Sequence, residues 1–209
     1  MRIVRKLGNT AALLVITGAV LGIAGCDSKP EPAPTPAVSE TPSPIDEAKG
    51  RYTEALERAK QWQENAELAR VYRRFSGTLA PAAPTPAIYA FSSLAEPRST
   101  FEVEFQGDDV SDRTVEKQPF ELLFNPIDVA VWKVPPDEAL RIAEQAGGES
   151  FREAHLAGYT VLQQLSKMGA YPLQWYFRYE TGDGSDLRLE IYVNADSGGV
   201  DFKREVKQP

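Results

Sequence analysis

Leu187-Arg-Leu-Glu-Ile-Tyr-Val193 alternates apolar and polar residues without a fault. It is bracketed by two turn-forming runs, Gly182-Asp183-Gly184-Ser185 before it and Asp196-Ser197-Gly198-Gly199 after it. Successive strand side chains point to opposite faces, so a period of two gives one face to the core and one to water or a partner. The stretch reads as one strand of an antiparallel meander. Leu173-Gln-Trp-Tyr-Phe-Arg-Tyr179 reads as the strand before it and Val200-Asp-Phe-Lys-Arg-Glu-Val206 as the strand after it. Along 173–179, Trp175, Phe177 and Tyr179 share one face and Tyr176 takes the other.

The same logic works outward. Ala87-Ile-Tyr-Ala-Phe91 is a strand candidate, and in Ser99-Thr-Phe-Glu-Val-Glu-Phe105 the apolar Phe101, Val103 and Phe105 alternate with polar residues. Gly107-Asp108-Asp109 supplies a turn, and two further β-rich runs lie between Phe120 and Val134. Pro136-Asp137-Glu138-Ala139 opens a helix that breaks at Gly147-Gly148, and Phe151 to Met168 carries apolar residues at helical spacing. Earlier, Ala48, Tyr52, Ala55, Ala59, Trp62, Ala66 and Ala69 recur at intervals of four and three, and Tyr72 and Phe75 extend the stripe. This predicts one long helix over 46–75. Trp62 on that helix, with Trp175 and Tyr176, is an aromatic candidate for a partner surface.

Composition bounds the rest. At 209 residues and 42 % hydrophobic the chain can bury a core. Removing Arg2, Arg5 and Lys6 with a leader leaves 20 basic against 30 acidic residues, so the formal charge moves from −7 to −10. A surface with that balance repels nucleic acid and anionic headgroups. The lone Cys26 excludes an internal disulfide and a cysteine zinc site, and the lone His155 excludes a histidine-triad metal centre within one chain. No Gly-x-Ser-x-Gly elbow and no phosphate-cradling glycine loop is present. Gly182-Asp-Gly-Ser-Asp186 lacks the ligand spacing of a calcium loop. The sequence therefore predicts no catalytic residue, no metal and no cofactor.

The N-terminus says where the chain lives. Arg2, Arg5 and Lys6 precede an uncharged run, Ala11 to Ala24, shorter than the about 20 residues a membrane-spanning helix needs. Ile23-Ala24-Gly25-Cys26 then resembles the lipobox of bacterial lipoproteins. That resemblance implies cleavage between Gly25 and Cys26, and acylation of the Cys26 sulfur and new amino terminus. Two or more acyl chains anchor stably where one is marginal. Asp27 resembles the signal that retains such proteins at the inner membrane, which favours its periplasmic face, with the outer membrane as the alternative. Ser28 to Pro44, with prolines at 30, 32, 34 and 36, reads as an extended tether reaching about 50 Å.

Asp137-Glu-Ala-Leu-Arg-Ile-Ala143 followed by Glu190-Ile-Tyr-Val-Asn-Ala-Asp-Ser-Gly-Gly-Val200 resembles the PepSY pattern, with Asn194 at its usual aspartate. The resemblance implies an envelope α+β module, sometimes linked with protease inhibition, and carries no catalytic residues. The expected fold is thus α+β, a long helix plus antiparallel meander sheets, with duplicated helix–three-strand halves weighed evenly against chance similarity. The expected organisation is a signal peptide at 1–25, lipidated Cys26 and tether over 26–44, a first half at 45–134 and a second at 135–209. The expected function is that of a non-enzymatic lipoprotein, held to the membrane through Cys26 and binding an envelope protein or peptide. The alternatives are a structural lipoprotein forming a homodimer through its long helix, and a hydrolase using carboxylates.

Overall fold

Asp46 and Glu47 in the first turn and Lys60 in the last complement the dipole of helix α1 (Pro44–Trp62). Its Ala48, Ala55 and Ala59 are buried, with Tyr52, Leu56 and Trp62 packed beside them. The helix is 19 residues long and does not run on to residue 75. Gln63 N–H bonds the Ala59 carbonyl and Ala66 N–H the Gln63 carbonyl, a tight turn through the polar residues that follow Trp62. Strand β1 (Glu67–Ser76) then begins. The expectation of a helix over 46–75 is overturned here. Ala66, Ala69, Tyr72 and Phe75 keep helical spacing by coincidence, because a register shift between Leu68 and Arg70 displaces the alternation. Beyond it Val71 and Phe75 face the core while Tyr72 faces away.

The computed structural model describes residues 44–77, 85–119, 124–156, 158–182 and 187–207, all within the unit Glu40–Pro209. Cys26, Gly25 and the tether up to residue 43 lie outside the described residues.

Eight further strands follow: β2 (Ala87–Ser92), β3 (Ser99–Gln106), β4 (Asp109–Glu116), β5 (Phe124–Asn125), β6 (Tyr159–Met168), β7 (Gln174–Thr181), β8 (Leu187–Asn194) and β9 (Val200–Lys207). They form one sheet in the order β4-β3-β2-β1-β6-β7-β8-β9, with β5 beside β6. Every pairing is antiparallel. Among the described residues the fold is therefore mainly antiparallel β, a nine-stranded sheet, and not a long helix with three-stranded meanders. Outward from the central β1–β6 pair, each arm is a four-strand meander.

The helix expected across 151–168 is also replaced. Helix α2 (Pro136–Ala143) runs into a kink over Glu144–Gly148, where Gly147 (φ 129°, ψ 0°) leaves helical geometry, the short α3 (Glu149–Ala154) follows, and β6 starts five residues later. Tyr159, Val161, Gln163 and Leu165 alternate inward, which a strand satisfies and a helix does not. Between Phe120 and Val134 the described backbone is not two β runs. It holds the two-residue β5 and a 3-10 turn at Val129–Val131, which Asp128 caps by accepting from the Ala130 N–H at 2.9 Å.

The described helices pack on one sheet face. Trp62 stacks on Phe101 with centroids 5.5 Å apart, and Tyr89 donates its hydroxyl to the Ala48 carbonyl at 3.0 Å. On the β6–β9 arm, Ala139 and Ala143 of α2 and Phe151 of α3 are buried near Tyr179, Leu189 and Ile191. Trp132, Trp175, Tyr179, Phe91 and Phe177 are the largest fully buried side chains. Burying each such ring is worth about 2–3 kcal/mol before cavity terms.

Candidate functional site

The alternation that sends Phe101, Val103, Leu189 and Ile191 inward sends Glu102, Glu104, Arg188 and Glu190 to the other sheet face. No described helix packs there. The register lays this face out in rows across the strands.

Each arm holds one buried carboxylate in a basket of donors. On the β1–β4 arm, Glu102 accepts from the Tyr72 hydroxyl at 2.7 Å, from Arg70 Nη2 at 3.2 Å, and from Arg113 Nε and Nη2 at 3.0 and 2.9 Å. On the β6–β9 arm, Glu190 accepts from the Tyr176 hydroxyl at 3.0 Å and from Arg204 Nε at 2.6 Å. Both side chains are about 5 % exposed or less, whereas their partners Arg113 and Arg204 are 58 % and 52 % exposed. The carboxylates thus lie beneath and guanidinium heads above. The carboxylate bonds hold both arginines above their ordinary values, the hydrogen bond being the larger cause. Burial, reinforced by the neighbouring carboxylates, pushes the Tyr72 and Tyr176 hydroxyls up.

Two more arginines surround Glu190. Arg178 Nε stands 3.1 Å from Glu180 and Arg188 Nε 3.1 Å from Glu190. Each pair joins alternate residues of one strand, so the carboxylate lies beside the N–H rather than in line with it. Both nitrogens are buried without a hydrogen bond, the two such side-chain atoms among the described residues. Beside them runs an aromatic row: Tyr176 and Tyr192 meet at 4.9 Å between centroids, Tyr192 and Phe202 at 5.8 Å, and Phe202 is half exposed.

The sequence candidates separate on this map. Tyr176 is on the open face, within the Glu190 basket. Trp175 is only 1 % exposed and belongs to the core, so it cannot meet a partner; strand alternation turns it inward. Trp62 is half-buried against Phe101 on the helix side, remote from Tyr176 in the sheet order. His155 packs against Phe151 at 4.6 Å. Glu102, Glu190, Tyr72 and the arginines were not singled out from sequence. Their signal was present as charges at outward positions 102, 104, 188 and 190, but pairing them required the register.

Two shallow cavities open on the surface. One of about 350 Å³ is lined by Asp128, Lys167, Tyr171, Asn194 and Asp196, and one of about 280 Å³ by Ser150, His155, Lys203 and Glu205. Among the described residues no three His, Cys, Asp or Glu side chains are grouped to hold a metal ion, and no helix is long and apolar enough to cross a membrane.

No family model matches this chain, and no curated protein matches it. Among solved structures, a protein of Clostridium difficile 630 provisionally described as a lipoprotein is similar over 74 % of this chain and 92 % of its own. The identity is 14 % and the TM-score 0.47, too low for the likeness to carry an argument about this chain.

Proposed function

We propose that this chain is an envelope lipoprotein, anchored through acylated Cys26, whose sheet domain binds a protein or peptide partner on its open face and performs no catalysis. The observation that carries the reading is the construction of that face. Two buried glutamates fix Arg113 and Arg204, each about half exposed to solvent. Ionic groups held this firmly are pre-organised, and pre-organisation lowers the entropic cost of binding. The α1 stripe that would seam a homodimer is used inside the domain, since Ala55 and Ala59 are fully buried there. The lipobox supports anchoring and Asp27 supports the periplasmic side of the inner membrane.

The test uses the full-length protein in intact envelopes, with a photo-crosslinking phenylalanine analogue at Phe202 or, as a control, at Glu57 on the helix side. Adducts to another protein from position 202 and not from 57 support the reading. No adduct from 202, or the same adducts from both, overturns it. For the anchor, Cys26→Ser is expected to abolish palmitate labelling and to release the protein from membranes. Retention of both would remove the lipid claim.

A further inference from the structure

Consecutive register pairs place Arg74, Leu162, Arg178, Glu190 and Arg204 in one row across the open face. The arginines therefore recur every second strand, about 9.6 Å apart at the usual strand spacing. The adjoining row is Tyr72, Gln164, Tyr176, Tyr192 and Phe202. A polyproline II segment presents the same side every third residue, about 9.3 Å along its axis. The two repeats match to within a few tenths of an ångström.

We propose that this row receives an acidic, extended segment of a partner protein. Its carboxylates, three residues apart, pair with Arg74, Arg178 and Arg204, and its prolines rest on Tyr176, Tyr192 and Phe202. The inference rests on the partner-binding reading above and adds the partner's chemistry. Three observations favour it. The outward strand positions carry arginine and no lysine, and a guanidinium fork matches a carboxylate where an ammonium does not. Around the row, Arg74, Arg178, Arg188 and Arg204 outnumber Glu180 and the buried Glu190, a local excess of positive charge in a chain of net −7. The Nε–H groups of Arg178 and Arg188 make no hydrogen bond, although each lies 3.1 Å from a carboxylate on its own strand. Prolines docking against aromatic rings are a recurrent mode of peptide recognition.

The test is fluorescence anisotropy with the full-length lipidated protein in neutral detergent, titrated against labelled peptides of repeating Glu-Pro-Pro or Gln-Pro-Pro. The Glu-Pro-Pro peptide is expected to bind at least about tenfold more tightly, and to weaken with salt. Combined Arg74→Gln, Arg178→Gln and Arg204→Gln should remove that preference. Removing equal charge from the helix side, with Arg51→Gln, Arg58→Gln and Arg141→Gln, should leave it. The single Arg204→Lys, which keeps the charge and loses the fork, should weaken binding several-fold should the triple variant not fold. Equal binding of the two peptides overturns the proposal, as does equal loss in the helix-side variant. Tighter arginine-dependent binding to phosphatidylglycerol vesicles overturns it in favour of a membrane. Crosslinks from Phe202 that persist in the triple variant sink the acidic partner alone. Absence of all crosslinks sinks the underlying reading.

Discussion

Trp132 and Trp175 donate their indole N–H groups to one acceptor, the Val134 carbonyl, at 3.0 and 2.9 Å. Their rings meet edge to face with centroids 5.9 Å apart, and both are essentially inaccessible. Val134 N–H in turn bonds the Ala195 carbonyl. This cluster ties the segment entering α2 to β7 and to the loop after β8, and so fixes one helix of the domain on the sheet.

Trp175→Phe keeps a ring in the core but removes one N–H and leaves space. It is expected to cost about 2 kcal/mol by denaturant titration. Trp132→Phe should cost a similar amount, and the double variant less than the sum because the two indoles share an acceptor. Strict additivity would show that the shared carbonyl does not couple them.

The Glu102 basket predicts an asymmetry. Glu102→Leu leaves Arg70, itself 10 % exposed, without its carboxylate and is expected to destabilise by about 3 kcal/mol. Arg113 is 58 % exposed, so Arg113→Ala should cost under about 1 kcal/mol. Thermal melts giving the reverse ranking would show that Glu102 does not organise the cluster.

Gly148 has ordinary helical dihedrals, yet a Cβ there would lie 2.3 Å from the Tyr179 hydroxyl oxygen and 2.8 Å from Glu144 Oε1. Those two atoms are hydrogen-bonded at 2.7 Å in a network with Arg152. Gly148→Ala should therefore push Tyr179 away and cost about 1–3 kcal/mol, an overpacking effect. Tyr179→Phe in the Gly148→Ala background should recover part of the loss. A Gly148→Ala protein as stable as the parent would refute the contact.

Tyr72, Tyr89, Tyr176 and Tyr179 are all pushed above the ordinary tyrosine value, mainly by burial. Each neutral hydroxyl is retained in the folded state after the unfolded chain has begun to ionise near pH 10. Their contribution is fully present below about pH 10 and is lost as pH rises through the folded-state values. The melting temperature should thus hold on the neutral side and fall above about pH 10. Tyr72→Phe with Tyr176→Phe should make the alkaline fall shallower. An unchanged slope would dissociate it from these hydroxyls.

Alternation located the strands at 99–105 and 187–193, because apolar residues at every second position leave a chain one way to bury them, while the β-rich runs at 87–91 and 173–179 marked two more. It also separated Trp175, Phe177 and Tyr179 from Tyr176, but which face is buried came from the structure, which takes Trp175 out of the partner-surface candidates. Periodicity failed where a strand mimics a helix. Alanines at 66 and 69 continued the α1 spacing through a turn and a register shift. The apolar residues of 158–168 fitted a helix as well as the strand they form. Short apolar runs are ambiguous between the two periods until their neighbours are placed.

What the sequence determined by itself is local: the strand phases and the place where the helix at Pro136 begins. The tertiary structure alone decided that β1 and β6 lie side by side and join two meanders into one sheet. It alone set Glu102 under Arg113 and Glu190 under Arg204, and aligned Arg74, Arg178 and Arg204 in a row. Strand registry couples residues up to some 130 positions apart through backbone hydrogen bonds that every sequence can make, so it is fixed only when whole faces bury together.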